Sequence, residues 1–354
     1  MTMREPALTL GHMAHPDVTE RAPIEQMAFA AMSAKIVYAA AELCLPDALA
    51  GGGRTSAELA DRVGAHAPSL RRLLRALAGL GVVDQTGPDS FELAAPGEPL
   101  RRGVPDSVHA LITMLCGPEN WASWGELVTS VRTGRPGWNL VHDLGWVDYY
   151  EGHPERFANF NRAMSEHTRD AAPAILAAAE LSRFGTLIDV GGGDGTLITQ
   201  ALRENPGLRG GIFDLPAGLR DARTTLEAGG VADRCRLFPG DFFESVPAGA
   251  DAYLLKHVLH DWDDEPATAI LRSVRRAMPS KSTLLLVEGM LPDEAGAADA
   301  PMLLIDVLML VVTGGRERTE AEFAALLADA GFEPARRSEA LPPFDYRVIE
   351  ATPV

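Results

Sequence analysis

The chain has 354 residues, long enough for two domains, and its 46% apolar and 23% charged residues are typical of a globular protein and exclude a disordered one. The formal net charge of −17 disfavours nucleic acids and anionic membrane surfaces as partners and favours small neutral or cationic ligands. Three scattered cysteines, no secretion signal and no apolar stretch long enough to span a bilayer predict a cytoplasmic protein without a disulfide framework or a metal site.

The N-terminal region predicts a loose arm followed by an unusually apolar helix. The first ~20 residues contain Pro, Gly and His without any periodicity. Residues 24–45 are rich in Ala, Met and other apolar residues and carry few charges. A helix of this composition usually packs against a partner, and a second subunit is one candidate.

Two more helices and a hairpin follow. The sequence Thr55-Ser-Ala-Glu58 matches a capping box that opens a short helix, and residues 68–80 predict a second helix. Residues 81–83 and 90–93 flank a Gly-Pro turn and predict a two-stranded wing. This order indicates a winged-helix domain within residues 1–104. Such a domain can contact DNA or form a dimer, and the nearly balanced charge of the segment favours the dimer.

The rest of the chain, residues 105–354, predicts one α/β domain. Residues 105–180 are helical in pattern and rich in aromatic side chains. From residue 186 onward strands alternate with helices, which specifies a doubly wound parallel sheet covered on both faces. The predicted strands are 186–190, 210–213, 235–238, 251–256 and 282–288, with 333–338 and 345–351 as candidate edge strands.

A glycine-rich loop follows the first of these strands, in the segment Leu187-Ile-Asp-Val-Gly-Gly-Gly-Asp-Gly195. Glycines allow both the unusual turn and the close approach of a ligand to the backbone. The glycines that carry this pattern are Gly191, Gly193 and Gly195, and Thr196 stands where a dinucleotide fingerprint would place its third glycine. The spacing therefore disfavours an NAD-dependent oxidoreductase, and no loop matches the P-loop pattern.

Acidic and aromatic residues follow the next two strands, at the sheet edge where open α/β sheets bind ligands. Asp214 ends the second strand and is suited to accept from both ribose hydroxyls, while Asp241 could accept from an adenine amino group and Phe242 could cover the ring. The alternatives are a helix-capping Asp214 and a core Phe242. Their order after successive strands favours an adenosine site.

Five ordered motifs resemble the two-domain S-adenosylmethionine-dependent O-methyltransferases of small molecules. These are the plant caffeate and flavonoid enzymes and the bacterial enzymes of aromatic polyketide and antibiotic pathways. Besides the Gly loop, the motifs are Phe213-Asp-Leu-Pro216, Gly240-Asp-Phe-Phe243, Leu255-Lys-His-Val-Leu-His-Asp-Trp-Asp-Asp264 and Gly314-Gly-Arg-Glu-Arg-Thr319. The resemblance implies a Rossmann-like class I methyltransferase domain, an N-terminal winged-helix dimerisation domain, a homodimer and S-adenosylmethionine as cofactor.

The resemblance also implies roles for individual residues. His260 matches the family's general base, Glu317 and Glu288 resemble the acids that flank it, and Asp261 lies beside it. The implied cofactor contacts are Asp189, Gly191, Gly193, Asp214, Leu215, Gly240, Asp241, Phe242 and Lys256. The implied substrate contacts are Phe157, Phe160, Met164, Asp306 and Met309. Asp306 departs from the plant pattern, which often has a neutral polar residue near the acceptor.

The chemistry of phenol methylation suits this set of residues. A phenol has a pKa near ~10 and a histidine near ~6.5, so a neutral imidazole can take the proton as the oxygen attacks, and activity should fall below about pH 6. The acids beside His260 favour the charged ring and move this expected fall somewhat higher. His257 is expected only to line the site. Core packing is the alternative for each aromatic residue. Two other functions stay open: a homologue diverted to hydroxylation or decarboxylation, and a ligand-sensing winged-helix regulator.

Overall fold

The computed structural model of the chain describes residues 22–354, so the predicted N-terminal arm lies outside the described residues. The chain divides into two compact units, Met1–Gly117 and Pro118–Val354. The α-helices of the described part are α1 (Ala22–Glu42), α2 (Leu45–Leu49), α3 (Ser56–Val63), α4 (Ala67–Gly79), α5 (His109–Leu115), α6 (Pro118–Gly125), α7 (Leu127–Thr133), α8 (Gly137–His142), α9 (Trp146–Gly152), α10 (Pro154–Ala179), α11 (Thr196–Glu204), α12 (Ala222–Ala228), α13 (Asp264–Ala277), α14 (Ala300–Val312) and α15 (Glu320–Asp329).

The strands belong to three sheets. They are β1 (Arg54–Thr55), β2 (Val83–Gly87), β3 (Ser90–Leu93), β4 (Thr186–Val190), β5 (Arg209–Asp214), β6 (Cys235–Pro239), β7 (Ala252–Lys256), β8 (Thr283–Glu288), β9 (Met290–Leu291), β10 (Arg318–Thr319), β11 (Phe332–Arg337) and β12 (Arg347–Pro353). Each predicted strand has a counterpart, although the first strand of the wing runs over Val83–Gly87 and shares only Val83 with the predicted residues 81–83. Among residues 22–354, no helix combines the length and the apolar character needed to cross a membrane.

The first unit has the predicted winged-helix arrangement. The backbone N–H of Glu58 donates to Thr55 Oγ1 at 3.2 Å, and that of Thr55 donates to Glu58 Oε2 at 2.8 Å, so the predicted capping box is confirmed. Strands β2 and β3 form the hairpin, and β1 pairs with β3 on its other side. Helix α5 also belongs to this unit, although the sequence places it in the second domain, because Val108 and Ile112 pack against the core of the first unit.

Helix α1 leaves a row of large apolar side chains uncovered within the chain. Ile24, Met27, Phe29 and Met32 are between 57% and 67% exposed. Contiguous exposed apolar surface of this kind marks an interaction site. The structure therefore supports the prediction that this helix packs against a partner.

The second unit is built on a seven-stranded sheet in the order β11-β12-β8-β7-β4-β5-β6. The five strands β4 to β8 are parallel, whereas β12 runs antiparallel to both β8 and β11. The prediction that β12 is an edge strand is wrong. It lies between β8 and β11 because its backbone pairs on both sides, with residues 347–351 opposite β8 and residues 349–353 opposite β11.

Helices cover both faces of this sheet, and apolar residues of the central strands alternate between two core clusters. Leu187, Ile212 and Leu254 pack with residues of α10 and α11, while Ile188, Tyr253 and Leu255 pack with residues of α13 and α15. The carboxyl ends of the parallel strands β4, β5, β7 and β8 meet at one edge. The loops that leave those ends carry the predicted site residues.

Candidate active site

The glycine-rich loop connects β4 to α11. Three of its glycines have a backbone conformation that residues with a side chain rarely adopt. Gly191, Gly193 and Gly195 all have positive φ, at 74°, 56° and 78°. A Cβ at Gly191 would lie 2.7 Å from Val258 Cγ2, whereas a Cβ at Gly193 would meet no atom within 4 Å. Positive φ together with open space at Gly193 leaves the loop backbone accessible to a ligand.

Asp214 closes this loop from the end of β5. Its Oδ2 accepts from the backbone N–H of Gly193 at 2.8 Å, and its Oδ1 accepts from the N–H of Leu215 at 2.7 Å. Burial raises the pKa of Asp214 to about 6, although these two hydrogen bonds lower it. The backbone N–H of Gly240 donates to the carbonyl of Asp214 at 3.0 Å, which joins the ends of β5 and β6.

Asp241 and Phe242 follow β6. Asp241 Oδ1 accepts from the N–H of Phe243 at 2.8 Å, which fixes the turn. The ring of Phe242 is half-buried and packs edge-on against Trp262 at 6.2 Å between centroids. Phe242 also packs against a core cluster. Phe242 is therefore partly a core residue, as the alternative interpretation of the sequence expected. Its position over an adenine ring stays a prediction.

Two ionisable groups lie at the ends of the central strands. Asp189, 3% exposed, has its pKa raised to about 7, chiefly by burial. Burial lowers the pKa of Lys256 to about 8, against the opposite effect of Glu288 and Asp189. Asp194, which the sequence did not single out, accepts from Ser165 Oγ at 2.6 Å and so ties α10 to the Gly loop.

His260 and Glu317 form a buried pair. His260 lies on a single 3-10 turn after β7 and is 7% exposed, and its Nδ1 lies 2.7 Å from Glu317 Oε1. Because a carboxylate can only accept, Nδ1 carries the hydrogen, and Nε2 is left to accept a proton. Asp261 Oδ1 lies 3.8 Å from that Nε2. The structure thus brings together two residues that are 57 positions apart in the sequence.

Glu288 completes the cluster from the end of β8. It is fully buried, and its Oε1 accepts from the N–H groups of Val258 at 3.2 Å and Leu259 at 2.9 Å. Its Oε2 and that of Glu317 have no hydrogen-bond partner among the described residues. A carboxylate oxygen of Glu288 and ring nitrogens of His257 and His260 lie within 4.8 Å of one another.

The charges around His260 determine its proton affinity. Burial lowers the pKa of His260, but the charges of Glu317, Asp261 and Glu288 and the hydrogen bond that His260 donates to Glu317 outweigh burial and raise the pKa to about 10. Burial raises the pKa of Asp261 to about 6 and that of Glu288 to about 7, in both cases against the lowering effect of His260. The cluster therefore holds protons that an isolated histidine and isolated carboxyls would release.

His257 has a backbone conformation that is rare for a residue with a side chain, with φ at 52°. Its ring lies 4.4 Å from the rings of both His260 and Tyr346. Burial and the neighbouring Lys256 and His260 hold its pKa well below the ordinary value, so the ring is neutral. The structure thus places His257 next to His260, and its role in lining the site stays a prediction.

The loop that carries Glu317 packs directly on the segment that carries His260. A Cβ at Gly315 would lie 2.0 Å from the carbonyl oxygen of His260 and 2.3 Å from the carbonyl carbon of Asp261. The N–H of Arg316 donates to the carbonyl of His260 at 2.9 Å. The sequence motif contained this loop, but Glu317 was its only residue with a predicted role. The paired glycines were the available signal for the close approach.

The predicted substrate residues lie on two helices. Phe157 and Phe160 belong to an aromatic cluster on α9 and α10, with ring centroids 5.9 Å and 5.1 Å from Tyr150, and Met164 is half-buried one turn further along. On α14, Met309 is 8% exposed, and Asp306 Oδ1 accepts from the N–H of Glu317 at 2.9 Å. The structure therefore connects Asp306 to Glu317, while contact of these residues with a substrate stays a prediction.

Comparison with known proteins identifies the family. The O-methyltransferase domain model matches residues 124–333, and the O-methyltransferase dimerisation domain model matches residues 25–98. The chain is 40% identical to an O-demethylpuromycin-O-methyltransferase of Streptomyces alboniger, over 97% of this chain and 94% of that protein. The chain belongs to the O-methyltransferase family.

Solved structures of relatives agree with this methyltransferase over nearly its whole length. The structure of a mitomycin 7-O-methyltransferase has a TM-score of 0.87 at 37% identity and covers 94% of this chain and 97% of its own. An O-methyltransferase from neocarzinostatin biosynthesis, crystallised with S-adenosylmethionine and 2-hydroxy-5-methyl naphthoic acid, has a TM-score of 0.79 at 33% identity and covers 91% and 96%. The predicted class I fold and dimerisation domain are confirmed, and S-adenosylmethionine is the cofactor.

The residues at the sheet edge fit this cofactor. A ligand that lies along the Gly loop needs the backbone of Gly193 to be open, and a Cβ placed there meets nothing within 4 Å. The carboxylate of Asp214 lies directly beside that opening, hydrogen-bonded to the Gly193 N–H. Acceptor groups for hydroxyls and an accessible loop backbone are what the ribose of an adenosine requires.

Proposed function

We propose that this methyltransferase methylates a phenolic hydroxyl of a small aromatic secondary metabolite, and that His260 accepts the hydroxyl proton. The buried hydrogen bond between His260 Nδ1 and Glu317 Oε1, at 2.7 Å, carries the proposal. Diversion to hydroxylation or decarboxylation would be favoured by a missing base, and here the base and its acid partner lie together. The 2-hydroxy-5-methyl naphthoic acid bound to the related enzyme from neocarzinostatin biosynthesis supports an aromatic acceptor.

The cofactor would be held at the carboxyl ends of β4, β5, β6 and β7. Asp214 and Leu215 would hold the ribose, and Asp241 and Phe242 would hold the adenine. The backbone of the Gly loop would make further contacts with the cofactor. Asp189, Gly191, Gly193, Gly240 and Lys256 complete the proposed set. When bound, S-adenosylmethionine supplies a methyl group that its sulfonium already activates, so the protein has to orient the acceptor and manage one proton.

His260 manages that proton in the proposed reaction. The acceptor hydroxyl releases its proton to His260 Nε2 as the oxygen takes the methyl group, while Nδ1–H stays bonded to Glu317. Glu317 then stabilises the imidazolium that forms. Because the pKa of His260 is raised to about 10, it matches that of an ordinary phenol near ~10, and the transfer costs little free energy.

The same raised pKa changes the expected pH dependence. A free enzyme with His260 near pKa 10 carries the imidazolium at neutral pH, and the form that can accept a proton becomes abundant only as the pH rises. Activity should therefore increase from neutral toward alkaline pH. The fall expected below about pH 6 from an ordinary histidine is displaced upward because three carboxylates surround the ring.

The acceptor would lie between α10 and α14. Phe157, Phe160, Met164 and Met309 offer the flat and polarisable surfaces that suit an aromatic ring. Helix α1, with its exposed apolar residues, would pack in a homodimer.

Incubation with labelled S-adenosylmethionine and a panel of phenols, with matched anilines as controls, tests the proposal. Mass analysis should show methyl transfer to oxygen and little to nitrogen, and His260→Ala should abolish most of it. Faster transfer to the anilines, or no effect of His260→Ala on any phenol, would contradict the proposal.

A further inference from the structure

The proposed base and its carboxylate partner come from separate loops, so the two loops must be held in a fixed position relative to each other. His260 belongs to the segment Leu259–Asp261 after β7, and Glu317 to the loop before α15. A hydrogen bond of 2.7 Å between two side chains survives only if both backbones are fixed to within a few tenths of an ångström. The residue next to Glu317 in the sequence, Arg318, provides that fixation.

Arg318 is fully buried, and its guanidinium donates hydrogen bonds to the segment that carries His260. Its Nη1 donates to the carbonyl of Leu259 at 3.0 Å, and its Nη2 donates to that of Trp262 at 2.8 Å. Its Nε donates to Asp264 Oδ1 at 2.9 Å. A weaker contact of 3.4 Å joins Nη1 to the carbonyl of Arg316 in its own loop. The first two acceptors stand immediately before and shortly after His260.

This geometry requires the planar fork of an arginine. Three donors of one rigid group reach Leu259, Trp262 and Asp264 at the same time, whereas a lysine ammonium would reach the same acceptors only by moving. An arginine with no exposed surface is uncommon in a protein interior. Here its hydrogen bonds go to the backbone of the segment that carries the proposed base, which indicates a specific task at that segment.

We infer that Arg318 is a positioning residue, which fixes the segment of His260 against Glu317 so that the imidazole stays aligned for proton transfer. The inference rests on the proposed function. Arg318 touches neither cofactor nor substrate in this scheme and acts through the His260–Glu317 pair alone. Its removal should therefore matter only as long as that pair is intact.

A double-mutant cycle between Arg318→Lys and Glu317→Ala, which removes the acceptor of His260 Nδ1–H altogether, tests this dependence. In the otherwise unchanged enzyme, Arg318→Lys should lower kcat about 10–100-fold, with little change in the KM of the acceptor or in the calorimetric affinity for S-adenosylhomocysteine. In the Glu317→Ala background the same substitution should lower kcat by less than about 3-fold. Arg337→Lys is the matched control, because Arg337 is a partly exposed arginine that pairs with Glu320 and contacts none of these groups, and it should leave kcat within about 2-fold.

Asp264→Ala provides a second variant if Arg318→Lys does not fold. Asp264 has a side chain that is 60% exposed, so its replacement leaves the core intact while it removes the acceptor of Arg318 Nε. It should give a smaller kcat loss that also disappears in the Glu317→Ala background. Equal losses in both backgrounds, or losses that follow a weaker affinity for S-adenosylhomocysteine, would overturn the inference and leave Arg318 as a structural residue. Wild-type activity in His260→Ala would instead overturn the proposed function itself.

Discussion

Replacing Glu317 with glutamine removes the charge beside His260 but keeps an oxygen that can accept from Nδ1–H. The pKa of His260 is raised from an ordinary 6.5 to about 10 against the effect of burial, and Glu317 is the largest of the groups that raise it. An opposite charge at hydrogen-bond distance shifts a pKa by about 1–3 units. Glu317→Gln should therefore lower the pKa of His260 by a similar amount.

The assay is the pH dependence of kcat/KM for one phenol of ordinary acidity, from about pH 6 to pH 10.5. The rising limb should move toward lower pH by about 1–3 units in Glu317→Gln, because the weaker base gives up its proton earlier. The plateau should fall by about 10–100-fold, because the imidazolium that forms is no longer stabilised by a carboxylate. Using the same phenol for both enzymes cancels the ionisation of the acceptor itself.

Glu320→Gln is the matched control, since Glu320 has an exposed carboxylate three residues away that pairs with Arg337. It should leave unchanged both the pH of the rising limb and the plateau value of kcat/KM. A Glu317→Gln profile that coincides with that of the wild type would refute the assignment of Glu317 as the group that sets the proton affinity of His260.

Three further predictions concern the loop, the cofactor and the dimer. Gly315→Ala should lower the free energy of unfolding by about 1–3 kcal/mol and reduce kcat, because its Cβ would lie 2.0 Å from the carbonyl oxygen of His260. Chemical denaturation measures the stability, and an unchanged value would contradict the close packing of the two loops. Asp214→Ala should weaken S-adenosylmethionine binding by roughly 1–3 kcal/mol in calorimetry, and an unaltered affinity would exclude the ribose role. Light scattering should give twice the 37.8 kDa chain mass, whereas a Met27→Glu variant on α1 should shift the population toward monomers if that helix lies in the interface.

Local patterns in the sequence predicted much of the fold. The capping box at Thr55, the Gly loop after β4 and the alternation of strands and helices depend on neighbouring residues, and the structure has each of them. The position of β12 was predicted wrongly because strand order is decided by contacts between distant segments. An apolar run such as that around Val348 fits an edge strand and an interior strand about equally well before its partners are known.

The site divides in the same way. His260 could be singled out from its motif, but its pairing with Glu317 rested on a family resemblance, because the two are far apart in the chain. Arg318 was overlooked because arginine is usually exposed, and only the structure shows that this one is buried. The high proton affinity of His260 could be anticipated only in direction, since its size depends on how closely Glu317, Asp261 and Glu288 approach the ring.

The central claim is that His260 removes the proton of the acceptor, and single-turnover measurement of methyl transfer by His260→Ala tests it most directly. With saturating S-adenosylmethionine, at an alkaline pH near the raised pKa of about 10 where much of His260 is neutral, and with a phenol whose pKa is at least as high, the rate should fall by about 10²–10⁴, while the affinity for the cofactor stays nearly unchanged. A rate close to that of the wild type on the same phenol would contradict the account and leave proximity and orientation as the source of catalysis.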